Sequence, residues 1–143
     1  MNKNLIFIDS TIWVNALVKN SENDEKHEIA KNLVKEPNNI IISTQIINEV
    51  NAIFLKNIKF FEKYSSNLIN SFYYNYRIIN LNKDILLKAS ELRNYYNFKF
   101  YDSIAIATAL YANCSIMYSE FFEEDLIVDA KLKIINPFVN NGC

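Results

Sequence analysis

Apolar positions along the chain fall into short continuous runs separated by longer stretches of helical period. Leu5-Ile6-Phe7-Ile8 is short, β-branched and aromatic, as a strand covered on both faces would be. Ile40 to Ser43, Tyr76 to Leu81, Cys114 to Ser119 and Leu132 to Phe138 read the same way, the last halted by Pro137. Between the strands, Trp13, Ala16 and Leu17 predict a helix from Thr11 to about Lys19. The stretch Ser21 to Glu28 opens a second helix, with Ser21 or Asp24 as cap, acids in the first turn and Ile29, Ala30, Leu33 and Val34 as its apolar stripe. Pro37-Asn38-Asn39 ends it. Thr44 starts a helix that turns Ile46, Ile47, Val50, Ile53 and Phe54 inward, and an aromatic-rich helix is expected near 59–73. Asn82 caps a helix carrying Ile85, Leu86, Ala89 and Leu92, and Tyr101 to Asn113 is apolar nearly all round, as a central buried helix would be. This alternation predicts an α/β fold: a mostly parallel central sheet of four to five strands flanked by helices.

Composition adds limits. At 143 residues the chain is expected to form one domain, 1–143, with no internal repeat or linker, and half of its residues are hydrophobic. A net charge of −1 provides no bulk basic field, so any affinity for nucleic acid needs a local patch. The single Gly, at position 142, supplies neither a phosphate-binding loop nor a nucleophile elbow. His27, the only histidine, lies in a charged helix start and is expected on the surface; a histidine acid–base pair cannot be built and a histidine-rich zinc site is disfavoured. Cys114 and Cys143 have no metal or framework spacing and read as reduced thiols. With no signal-peptide core and no apolar run near the ~20 residues of a membrane span, the expectation is a soluble, cytoplasmic protein.

The remaining chemistry is carboxylate chemistry. Asp9, Glu49 and Asp102 each lie beside strongly apolar sequence close to a helix start. Singly, each has an ordinary reading: Asp9 and Asp102 as N-caps, Glu49 as an acid at the border of a buried face. If the strand ends bring them together, their mutual repulsion calls for a cation, and an all-oxygen set suits Mg²⁺ or Mn²⁺. Periodicity alone does not establish that convergence.

In order and spacing, however, these segments resemble the PIN-domain proteins, and among them the small VapC-type toxins of bacterial toxin–antitoxin pairs. "FIDSTIWVNAL" is similar to the family's opening strand and first acid, "STQIINEV" to the helix with the second and "FYDSIAIATAL" to the helix with the third, while "CSIMYSE" and "KLKIINPF" resemble its closing strands. The resemblance covers nearly the whole chain. It implies a PIN-like three-layer fold in which Asp9, Glu49 and Asp102 ligate Mg²⁺ or Mn²⁺ and an activated water cuts a phosphodiester in structured RNA, tRNA or rRNA. It further implies support from Ser10 and Thr11, a homodimer, and silencing by a small antitoxin whose tail covers the acidic pocket. Thr11 is equally readable as a second cap of its helix.

One departure stands after the fourth strand, where similar chains commonly read Ser or Thr, a polar residue and then an acid. Here "YSEFFEED" places Phe121 at the acid position, and the adjacent Glu120 is the candidate to turn in; Glu123, Glu124 and Asp125 also read as a solvated charge run. Lys56, Lys59 and Lys99 are candidate phosphate contacts, with solvated helix faces as the alternative. Phe60, Phe61, Tyr64, Phe72, Tyr73, Tyr74 and Tyr76 would stack bases or, more ordinarily, fill the core or a partner surface. The missing acid keeps open a second function, a PIN-fold protein that binds RNA or an antitoxin without cutting. An aspartyl-nucleophile phosphatase would need an acid at Thr11, two residues after Asp9, and is disfavoured.

Overall fold

The computed structural model describes residues 4–57, 62–122 and 125–139. In chain order the elements are β1 (Ile6–Ile8), α1 (Ser10–Leu17), α2 (Asp24–Leu33), a 3₁₀ turn at Pro37–Asn39, β2 (Ile40–Ser43) and α3 (Thr44–Asn57). They continue with α4 (Glu62–Asn75), β3 (Arg77–Ile79), α5 (Lys83–Tyr96), α6 (Phe100–Tyr111), β4 (Ile116–Tyr118), β5 (Leu126–Val128) and β6 (Leu132–Ile135). One sheet of order β3-β2-β1-β4-β6-β5 runs through the molecule, parallel throughout except for the β5–β6 pair. The α/β arrangement expected from the alternation is present. β1 lies at the point where the chain, having built outward through β2 and β3, returns to build the other side from β4. Crevices at the carboxyl ends of strands open at such reversals.

The core follows from the apolar pattern. Phe7, Ile8, Ile40, Ile41 and Ile42 are buried because β1 and β2 are interior strands, each paired on both edges. α3 buries Ile46, Ile47, Val50 and Phe54, one stripe at helical spacing. α6 is buried from Ser103 to Ala109. Trp13 meets Phe72 and Tyr76 edge-on, with ring centroids 5.2 and 5.1 Å away, so α1 and α4 are tied by an aromatic cluster.

Three expectations need correction. The sheet has six strands among the described residues, because Leu126–Val128 forms an antiparallel hairpin with β6. Its turn places Asp129 and Ala130 at φ 54° and 55°, with Lys131 N–H donating to the Val128 carbonyl at 3.0 Å. That backbone is of the left-handed hairpin type, but it lacks the Asn-Gly or Asp-Gly signal by which such turns are read. Second, His27 is buried, not on the surface: its Nδ1 lies 2.8 Å from the Asn15 carbonyl oxygen, joining α2 to α1. The acids and lysines around it in sequence point elsewhere on the helix. Third, Leu86 is 48% exposed and lies outside the α5 stripe that buries Ile85, Ala89 and Leu92. Element ends also move: α1 begins at Ser10 and the aromatic-rich helix spans Glu62–Asn75.

Candidate active site

Asp9 follows β1 directly and caps α1, its Oδ1 accepting from the Ser10 backbone N–H at 2.8 Å. Asp9 is also 4% exposed, which a cap does not require. The pairing of Ile8 with Tyr118 puts the next residues of β1 and β4 side by side, and Ser119 Oγ donates to Asp9 Oδ2 at 2.8 Å. Both carboxylate oxygens are therefore engaged by the frame.

Glu49 stands on α3 at the border of its buried face, half-buried. One turn earlier, Gln45 extends its Nε2 3.5 Å from Glu49 Oε1 and 3.1 Å from the Tyr101 carbonyl oxygen. α3 and the first turn of α6 are held together at that amide. Asp102 is in this first turn. It is not the cap, a place that belongs to Lys99; Ser103 Oγ instead bonds to the Phe100 carbonyl and accepts from Arg93 Nη1 at 2.7 Å.

Asp9, Glu49 and Asp102 line one cavity of about 480 Å³, with Ser10, Thr11 and Lys99. Burial pushes the Asp9 carboxyl up to about 6; the charges of Asp102 and Glu120 add to the rise, while hydrogen bonds from Ser119 and Ser10 oppose it. Burial also pushes Glu49 up to about 7, reinforced by the charges of Asp9 and Asp102 and opposed by its bond to Gln45. Asp102 is raised by burial, with Lys99 pulling the other way. Three acids from three elements thus share a common space and feel one another's charge, the arrangement that spacing could not establish.

Other candidates separate. Among the described residues Thr11 Oγ1 is buried without a hydrogen-bond partner, so it does not act as a second cap. Phe121, 54% exposed, lines the cavity at the position of the missing acid. Glu120 does not line it: its Oε2 pairs with Lys26 Nζ at 3.1 Å, although its charge still reaches Asp9. Lys56 is exposed on α3 away from the cavity lining, and Lys59, Phe60, Phe61, Glu123, Glu124 and Cys143 lie outside the described residues. Phe72 is core, Tyr76 packs against it, and Tyr73 and Tyr74 are exposed. Burial pushes the Cys114 thiol up to about 12, as befits a packing residue. Ser119, Gln45 and Lys26 were not among the sequence candidates. Ser119 had a signal, its place at the end of a strand ahead of the acids, and Gln45 had the i, i+4 spacing to Glu49.

The pattern of the PIN domain matches residues 6–126 of the sequence. Among curated proteins none matches. A toxin–antitoxin complex from Klebsiella pneumoniae superposes with a TM-score of 0.69 at 19% identity, over 93% of this chain and 98% of that one. VapC20 of Mycobacterium tuberculosis, a sarcin–ricin-loop-cleaving toxin, does so with a TM-score of 0.63 at 17% identity, over 78% and 86%. VapBC2 of Rickettsia felis, bound to a DNA fragment from its promoter, gives 0.58 at 18% identity, over 81% and 86%. At these identities the structures show a shared fold.

Proposed function

The chain belongs to the PIN domain family, and on that premise we propose that it is an endoribonuclease toxin of the VapC type, which hydrolyses phosphodiester bonds in structured RNA with Mg²⁺ or Mn²⁺. The observation that carries this reading is the common cavity of Asp9, Glu49 and Asp102, each with its carboxyl pushed up. Catalytic and metal-binding roles go to these three acids, with Ser10, Thr11 and Ser119 in support.

The residues fit a hard divalent ion. The donors are all oxygens, and among the described residues Lys99 offsets only Asp102 and Thr11 Oγ1 is an unpaired buried hydroxyl on the cavity wall. Among the described residues no three acidic, imidazole or thiol groups are placed closely enough to enclose an ion by themselves. Once bound, such an ion supplies Lewis acidity toward a phosphate oxygen and makes water a stronger nucleophile. Ser10 N–H and Ser119 Oγ fix the orientation of Asp9, and the Gln45 amide holds Glu49 toward Asp102. Lys99 brings positive charge to the wall where a phosphodiester would lie, and Phe100 and Tyr101 beside it offer apolar surface.

The partners in this proposal are tRNA or rRNA, a small antitoxin and a second copy of the chain. Solved relatives of the same fold that are toxin–antitoxin assemblies support the antitoxin, whose segment would cover the exposed Phe100, Tyr101 and Phe121 around the acids. No helix among the described residues is long and apolar enough to cross a membrane, and the cytoplasm, where these RNAs reside, is the proposed compartment.

The test is incubation of the purified, antitoxin-free protein with total tRNA and rRNA in Mg²⁺, in Mn²⁺ and in EDTA, alongside Asp102→Asn. Metal-dependent cutting that the substitution abolishes supports the nuclease. Phe121 on the cavity wall and Glu120 in its ion pair with Lys26 favour one second reading, a PIN-fold protein that binds RNA or an antitoxin without cutting. RNA binding with no cleavage in either metal would move that reading ahead.

A further inference from the structure

A second groove of about 330 Å³ adjoins the acidic cavity and shares Glu49 and Tyr101 with it. Its other lining residues are Thr44, Gln45, Asn48 and Leu81, drawn from the start of α3 and the segment after β3. We propose that this groove is a subsite for one base of single-stranded RNA, stacked on the Tyr101 ring and hydrogen-bonded along its edge by Asn48. The inference rests on the nuclease reading for its choice of ligand and on the groove for its location.

Tyr101 is 66% exposed in the first turn of a helix whose buried part runs from Ser103 to Ala109, and Phe100 meets it edge-on at 5.2 Å. A solvent-facing aromatic ring restrained by a neighbour is a stacking platform that tolerates any base. Leu81, 38% exposed, offers further apolar surface in the groove. The exposed Asn48 amide has both donors and an acceptor, the complement of a base edge. Gln45 is 9% exposed and its NH₂ is committed to the Glu49 carboxylate and the Tyr101 carbonyl, which fixes the orientation of the amide. The volume is at the lower end of the range for small-ligand sites, which suits a single base. Because Glu49 borders both cavities, a backbone that passes a phosphate before the acids would carry a neighbouring base into this groove.

The experiment is a nitrogen-15 NMR titration of the full chain, in EDTA, with the four nucleoside 5′-monophosphates and with ribose 5-phosphate as a base-free control. The expected result is amide shifts at Asn48 and Tyr101 with the nucleotides and none there with ribose 5-phosphate. Tyr101→Leu is expected to weaken nucleotide binding about fivefold or more, Tyr101→Phe to preserve it, and Asn48→Ala to weaken it with the spectrum still that of a folded protein. Equal shifts with ribose 5-phosphate, or affinity unchanged in both Tyr101→Leu and Asn48→Ala, would overturn the proposal. So would an absence of shifts in the groove, which would then suit a peptide segment better. Since EDTA prevents metal-dependent cutting, these outcomes are independent of the cleavage assay, and either reading can fail alone.

Discussion

Ser119 Oγ donates to Asp9 Oδ2 across 110 positions of sequence, at 2.8 Å and with both side chains buried. The contact joins the ends of β1 and β4 where the strand order reverses, and it leaves Asp9 with little rotational freedom. Ser119→Ala removes the donor and exposes no replacement. The expected cost is about 1–3 kcal/mol of stability, with metal affinity about tenfold weaker. Thermal unfolding and calorimetric titration with Mn²⁺ measure the two effects separately.

Asp102→Asn keeps the size of the side chain and, because Lys99 holds the cap position, leaves helix capping intact. Cleavage is expected to fall about a hundredfold or more with the circular dichroism spectrum unchanged. A variant that still cuts at near the original rate would exclude Asp102 from the reaction centre.

The acids also set a pH dependence of stability in metal-free protein. Burial raises Asp9 from its ordinary 3.8 to about 6, so between these values the folded protein binds protons more tightly than the unfolded chain. This contribution is fully present below the unfolded value and is lost as pH rises through the folded one. Glu49, raised from 4.5 to about 7, acts in the same direction. Relative to Asp9→Asn, the wild type in EDTA is therefore expected to lose about 1–3 kcal/mol between pH 4 and pH 7.5. Mg²⁺ or Mn²⁺ at pH 7.5 should restore the melting temperature of the wild type and leave that of Asp9→Asn nearly unmoved.

Phe121→Asp places a carboxylate where the aromatic side chain now lines the cavity. Added ligand charge strengthens binding of a hard cation, and about a tenfold gain in Mn²⁺ affinity is expected. Glu120→Gln reads the other possibility. If Glu120 leaves Lys26 to join the ion, this substitution weakens Mn²⁺ binding, and Lys26→Met, which releases the carboxylate, strengthens it. No change in either variant would assign the pair to surface structure alone.

Local pattern in the sequence determined the alternation of elements. The short apolar runs Leu5–Ile8 and Ile40–Ser43 made β1 and β2, the i, i+4 stripe of Ile46 and Val50 made α3, and Asn82 capped α5, its Oδ1 accepting from Ile85 N–H at 3.0 Å. These signals act over one or two turns or along a single strand, which is why they are readable without the fold. They also placed Asp9, Glu49 and Asp102 near helix starts, and the order of those segments resembled one family. Tertiary structure alone decided which of these groups meet. The cavity depends on parallel pairing of strands far apart in sequence and on the reach of the Gln45 amide from α3 to α6. The same long-range packing buried His27 and drew Glu120 toward Lys26. Burial and mutual charge then raised the acids, because desolvation is a property of the assembled site and not of any residue in the chain.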